Sequence, residues 1–166
     1  LLASRLGFNP RKEPKVLMEK TVIRTMLEAD LLDVLILAKE FSREAPKSHK
    51  WNPEKTKNFL ISAMHNTNME IFVSEKQGEV TGAIVCLVTE MYMSNTVIAS
   101  DVAWFVNKDA RGDSSAIRLL KAFEAWGRSK GADYLGMADI EGLSNLSSLY
   151  SRMGYSVFET TYVKEA

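Results

Sequence analysis

The sequence predicts one α/β domain of the α+β type, in which a central mixed sheet is flanked by about four helices. Three observations carry this expectation. The 166 residues are 46% hydrophobic and 25% charged, the balance of a single domain with a full-sized core. Hydrophobic periodicity changes along the chain in the order strand, two helices, three strands, helix, strand, helix, strand. No repeat, low-complexity tract or linker interrupts that order. Residues 1 to 20, with Pro10, Pro14 and scattered basic side chains, read as an N-terminal extension, and residues 21 to 166 as the domain.

The first strand falls on residues 21 to 27 (TVIRTML), with Asp30 as the N-cap of a strongly apolar helix carrying Leu31, Leu32, Val34, Leu35, Leu37, Ala38 and Phe41. A polar stretch over residues 42 to 52 contains Pro46, His49 and Trp51. Pro53 then opens a second helix whose Phe59, Leu60, Ala63 and Met64 share a face. From Met69 the period becomes that of strands: residues 69 to 74, a turn at 76 to 79 (KQGE), and a long strand over 80 to 93. After Ser94-Asn95-Thr96, residues 97 to 106 (VIASDVAWFV) are β-branched, aromatic and apolar, as in a largely buried strand. A helix follows from Ser115, with Ala116, Leu119, Leu120, Phe123 and Trp126 on one face and a stop at Lys130-Gly131. A short strand over 133 to 140, a helix over 144 to 152 closed by Gly154, and a weakly alternating strand over 155 to 163 complete the chain.

The link between the 97–106 strand and its helix carries chemical information. Residues 107 to 114 contain one Gly, one Ser and no bulky apolar side chain, so they deliver backbone N–H groups to a helix N-terminus. Successive amides and the positive end of the helix dipole suit a phosphate or pyrophosphate, and Arg111 adds a charge beside them. The Arg111-Gly112-Asp113 tripeptide also matches an integrin-binding string, a match of three residues that recurs by chance.

The string from Val106 to Leu120 resembles the acetyl-CoA signature of the GCN5-related N-acetyltransferases, the GNAT superfamily. There a strand ending in Val leads to Arg/Gln-x-x-Gly-x-Gly/Ala and a long helix. The pattern maps onto Arg111, Gly112, Asp113, Ser114, Ser115 and Ala116, with Ser114 where the family usually has Gly and Asp113 where a basic or neutral residue is common. Leu149-Tyr150-Ser151-Arg152-Met153-Gly154-Tyr155 likewise resembles the family's Leu-Tyr-x-Lys-x-Gly-Phe string. The resemblance covers residues 21 to 163 and implies a GNAT-like acyl-CoA N-acyltransferase fold. It also implies acetyl-CoA as co-substrate, with its pyrophosphate on the amides of residues 111 to 116 and its pantetheine arm along Trp104, Phe105 and Val106, where that strand splays from the next. Transfer would be direct, without an acyl-enzyme, to an amine borne by a small molecule or a protein.

An amine with pKa ~10.4 must lose a proton to attack, and a carboxylate or a relayed water serves. Asp101, on the central strand near where some relatives carry a glutamate, is the first candidate base, with Asp139 and Glu141 as rivals. A departing thiolate needs a proton, and Tyr150 matches the family's tyrosine acid. Carrying over the family's asparagine would make Asn145 a further cofactor contact. The acceptor would lie over the first helix, residues 42 to 52 and the loops near residues 90 to 95 and Glu141, where Phe41, Trp51 and Tyr92 offer a lining. Each of these residues also has a plain structural reading, as a capping carboxylate or a packed aromatic.

Lys plus Arg and Asp plus Glu both number 21, so no long-range field favours nucleic acid or an acidic membrane. The lone Cys86 sits in an apolar run and reads as a packed thiol. His49 and His65 are isolated in sequence, and with no HxxH, HxxE or CxxC spacing no metal site is expected. The chain reads as cytoplasmic, without signal peptide or membrane span; it opens without Met, as a fragment or processed product would. A homodimer is among the assemblies this reading allows. Two rivals stand beside the enzyme: a catalytically inactive GNAT-like structural or interaction module, motivated by Asp113 and Ser114, and a Rossmann-like nucleotide-binding domain, which one loop Gly and the preceding hairpin strands fit poorly.

Overall fold

A computed structural model describes residues 20 to 45, 51 to 140, 143, 146 to 164 and 166. The extension up to residue 19, His49, Glu141 and Asn145 lie outside the described residues. Strand β1 (Val22–Thr25) is followed by a 3-10 turn (Glu28–Asp30), helix α1 (Leu31–Glu44) and helix α2 (Pro53–Met64). Strands β2 (Met69–Lys76), β3 (Glu79–Glu90) and β4 (Val97–Val106) come next, then a 3-10 turn (Lys108–Ala110), helix α3 (Ser115–Ser129), strand β5 (Tyr134–Gly136) and helix α4 (Ser147–Arg152).

The sheet runs β1-β2-β3-β4-β5, antiparallel through β4, with β5 parallel to β4. Parallel pairing needs a crossover, and α3 supplies it. One face packs on α1 and α2 through Val34, Leu37, Leu60, Ile71, Val73 and Val85. The other packs on α3 and α4 through Ile84, Cys86, Leu119, Leu120, Phe123 and Tyr150. Cys86 is fully buried, and that burial pushes its thiol far above the ordinary range, so it is a packed thiol and not a nucleophile.

Apart from shifts of one to three residues at the ends of β1, β2 and β3, four sequence expectations change. Asp30 does not cap α1 through its side chain; its carboxylate instead accepts the Leu27 N–H at 2.7 Å and pairs with Arg24. The strand expected over 133 to 140 spans only Tyr134–Gly136, because beyond it the Ala138 N–H goes to the Asp101 carboxylate instead of a strand carbonyl. The 144–152 helix is shorter, Ser147–Arg152. The final strand over 155 to 163 does not form: Glu159, Thr160 and Thr161 break the apolar alternation, and Val157, Phe158, Tyr162 and Val163 are 80–93% exposed.

Candidate acyl-CoA site

Strand β4 carries an irregularity that shapes the site. Val85 pairs with Ala103 but Cys86 pairs with Asp101, so Val102 is an extra residue, 46% exposed. The bulge reverses which face the side chains take: Ala99 packs on the α3 side before it, Trp104 and Val106 after it. On the other edge, β4 pairs with β5 only at Ile98, Ala99 and Ser100. From Asp101 onward the two chains part, leaving the β4 edge over residues 101 to 106 without a strand neighbour on that side among the described residues.

Two side chains stand at the point of divergence. Asp101 Oδ1 accepts the Ala138 N–H at 2.8 Å, and the Tyr150 hydroxyl donates to the Ala138 carbonyl at 2.9 Å. They peg both backbone groups of one residue. Burial raises the Asp101 pKa, against the opposing effect of its N–H partner. Burial, with the charges of Asp101 and Asp139, pushes the Tyr150 phenol well above its ordinary range, so it is protonated at neutral pH. The Trp104 ring lies 6.4 Å from that of Tyr150, and its buried indole N–H has no hydrogen-bond partner among the described residues.

The loop after β4 is the second half of the site. Asn107 Oδ1 accepts the Ala110 N–H at 2.9 Å and closes the 3-10 turn. Gly112 takes φ +97°, and a Cβ there would meet nothing within 4 Å, so backbone geometry and not crowding requires the glycine. Ser114 adopts φ −80° and ψ −1°, ordinary for serine, so the family's Gly is not needed there. The N–H groups of Gly112, Ser114, Ala116 and Ile117 make no hydrogen bond among the described residues. Such a row of free amides at the start of a 15-residue helix fits a pyrophosphate. The Ser115 hydroxyl is fully buried, 3.5 Å from that of Thr21, and Arg118 donates to the Thr21 carbonyl, so the head of β1 anchors the start of α3.

The charged side chains of the loop are arranged otherwise than expected. Arg111 does not stand free for an anion: it meets the two Glu44 carboxylate oxygens at 2.8 and 3.0 Å, and its Nε donates to the Val106 carbonyl at 3.1 Å. The guanidinium accordingly holds the Glu44 carboxyl below its usual range. Asp113 Oδ1 accepts the Ser115 N–H at 2.7 Å, and Oδ2 lies 3.8 Å from Lys76 Nζ. Burial opposes ionisation of Asp113, but Ser115 and Lys76 outweigh it and its pKa is lowered. Neither Glu44 nor Lys76 carries a sequence signal for this role; only tertiary pairing brings them here.

The aromatic side chains expected to line the acceptor stand in three different settings. Phe41 stacks on Phe105 with centroids 5.8 Å apart, and the cavity beside them holds about 10 Å³, room for one water. Trp51 lies under Lys39 Nζ, 5.6 Å from the ring centroid. Tyr92 is 93% exposed on the β3–β4 loop. His65 bonds the Ile61 carbonyl at the end of α2, away from this chemistry. Among the described residues no group of three or more His, Cys, Asp or Glu gathers as a metal site, and no helix is long and apolar enough to cross a membrane.

A mixed sheet that opens at its fourth strand beside an amide-rich helix start is the architecture of acyl-CoA N-acyltransferases. Solved structures bear this out at the level of fold. A GNAT family acetyltransferase from Staphylococcus aureus matches 90% of this chain and 100% of its own, at 14% identity and TM-score 0.67. The enzyme AAC(6')-Iy, solved with the bisubstrate analogue CoA-S-monomethyl-acetylneamine, matches 89% of this chain and 98% of its own, at 15% identity and TM-score 0.72. A transcriptional regulator from Bacillus halodurans C-125 matches 89% and 100%, at 15% identity and TM-score 0.76. No family model and no curated protein matches the sequence. The chain has the GNAT fold.

Proposed function

We propose that this chain is an N-acetyltransferase that moves the acetyl group of acetyl-CoA directly to an amine. The observation that carries the reading is the parting of β4 from β5 at Asp101, beside a loop whose amides at Gly112, Ser114, Ala116 and Ile117 are unpaired. When bound, acetyl-CoA supplies the activated acetyl group. The free amides of the 111–116 loop and of Ile117 would hold its pyrophosphate, and the open β4 edge at Trp104, Phe105 and Val106 would take its pantetheine arm. Asp101 takes the proton of the acceptor amine as nitrogen attacks the carbonyl, and its raised pKa makes it the stronger base for that task. Tyr150, whose hydroxyl stands on the Ala138 carbonyl where β4 and β5 part, gives its proton to the sulfur as the C–S bond breaks. Structures of this fold named as an aminoglycoside acetyltransferase from an uncultured soil sample and as a ribosomal-protein-alanine N-acetyltransferase from Brucella melitensis suggest the amines to test first: aminoglycosides and alanine-bearing ribosomal-protein peptides.

Calorimetric titration with acetyl-CoA tests the reading. The expected result is micromolar binding, about −8 kcal/mol, abolished in Ser114→Glu, which puts a carboxylate among the amides. Release of free thiol on adding an amine then identifies the acceptor. Absence of binding would favour the second reading, an inactive module of this fold, which the Asp113 carboxylate on the Ser115 amide supports.

A further inference from the structure

We propose that Lys76 is the side chain that meets the phosphates of acetyl-CoA in the 111–116 loop, and that Asp113 holds it in readiness and gives it up when they arrive; this rests on the acetyltransferase reading above. The argument begins with the cations around the loop. Arg111 is committed through all three guanidinium nitrogens to Glu44 and the Val106 carbonyl. Arg118 is committed to the Thr21 carbonyl. Lys108 points to Glu44 at 3.7 Å with its side chain 72% exposed. Lys76 differs in where its partner sits: Asp113 Oδ2, at 3.8 Å and beyond hydrogen-bond length, belongs to the amide-rich loop itself, and the Lys76 side chain is 42% exposed.

Its partner is equally under-used. Asp113 Oδ1 is satisfied by the Ser115 N–H, but Oδ2 is shut off from water with no hydrogen bond. The sheet delivers this pair to the loop. Lys76 is the last residue of β2, and the β3 strand that turns back from it holds the start of the loop through Asn107 N–H on the Thr81 carbonyl at 2.9 Å. A cation from β2 thus stands where the loop's own sequence has an acid. A phosphate outcompetes a distant carboxylate for an ammonium, since it offers more charge and several acceptor oxygens. Asp113 then remains on the Ser115 amide as a fixed negative charge that opposes the incoming anion.

The two effects have opposite signs, which makes the pair testable by calorimetry with acetyl-CoA. Lys76→Ala is expected to weaken binding about tenfold and Lys76→Arg to restore most of it. Asp113→Asn keeps an oxygen to cap Ser115 but loses the charge, so it is expected to tighten binding about fivefold, with the gain shrinking at high salt. Thermal melts of each variant without ligand check that the fold persists. Binding by the unaltered chain with Lys76→Ala equal to it would overturn the Lys76 role and leave the acetyltransferase reading intact. Tighter binding in Lys76→Ala would do the same. Absence of binding by the unaltered chain would overturn that reading and this inference with it.

Discussion

Removing the Tyr150 hydroxyl separates its bond to the Ala138 carbonyl from its proposed place as proton donor. The bond is one buried hydrogen bond, worth about 1 kcal/mol net. In a chain of this length Tyr150→Phe should lower Tm by only about 2–4 °C. A general acid contributes on the order of 10²-fold or more to rate, so acetyl transfer to any accepted amine should fall by about that factor; equal kcat in the variant would assign Tyr150 to packing alone. Asp30 offers the opposite case, a residue whose chemistry is wholly structural. Its carboxylate takes Arg24 at 2.6 and 2.9 Å and the Leu27 N–H at 2.7 Å, with Asp30 6% exposed. Asp30→Asn strips the charge from a half-buried ion pair and should cost about 2 kcal/mol at neutral pH. The Arg24 bonds hold the Asp30 pKa below its ordinary value, so its stabilisation is full above the unfolded pKa near ~3.9 and is lost as pH falls through the folded value. Denaturant titrations of the two proteins should therefore differ at pH 7 and converge below pH ~4.

Helix α3 lies close on the sheet because of Gly127. A Cβ at that position would sit 2.6 Å from Leu135 Cδ2 and 2.8 Å from Ala99 Cβ. The Leu135 methyl can swing away, but the Ala99 Cβ is fixed to the β4 backbone. Alanine gains about 1 kcal/mol of helix propensity over glycine, while overpacking costs about 1–3 kcal/mol. Gly127→Ala should thus be destabilising by about 1 kcal/mol and Gly127→Val by more, as read from urea midpoints; a stabilised alanine variant would mean that α3 shifts freely over β4. The same helix shows why parts of the fold were legible in sequence. Its apolar positions Leu119, Leu120, Phe123 and Trp126 repeat at helical spacing and all are buried, and β2, β3 and β4 keep strand spacing over 8 to 12 residues. The two strand expectations after α3 lacked that support. β5 ends after three residues, and beyond it the Ala138 N–H donates to the Asp101 side chain, which no periodicity announces. Within the site, the loop and Tyr150 carry motifs, and the open β4 edge lies where that resemblance implied. The engagement of Arg111 by Glu44 and of Asp113 by Lys76 joins residues 67 and 37 positions apart in the chain, and local pattern holds no record of such pairs.

The sheet as a whole is held unevenly, and that has a thermodynamic consequence. Strands β2, β3 and β4 share long ladders, whereas β5 is tied to β4 by three residue pairs and to the rest of the site by the Ala138 pegs of Asp101 and Tyr150. A ligand seated along the open β4 edge and on the amides of α3 would bridge the strongly and weakly held parts of the molecule. It would also fill hydrogen-bonding groups that the free protein leaves to solvent, and it has no matching site in the unfolded chain. Acetyl-CoA at one hundred times its dissociation constant should add about 2.7 kcal/mol to the folded state, which in a chain of this length raises Tm by about 5–10 °C. The Ser114→Glu variant, with its loop occupied by a carboxylate, should show no shift at the same concentration. Hydrogen exchange would place the effect: protection should rise most at the amides of residues 112 to 117 and along β4 from Asp101 to Val106, while amides of β1 and β2 gain no more than the global stabilisation. A melt that acetyl-CoA leaves unmoved, with flat exchange across both segments, would mean that the opening between β4 and β5 takes no acyl-CoA and that this fold serves another purpose in this chain.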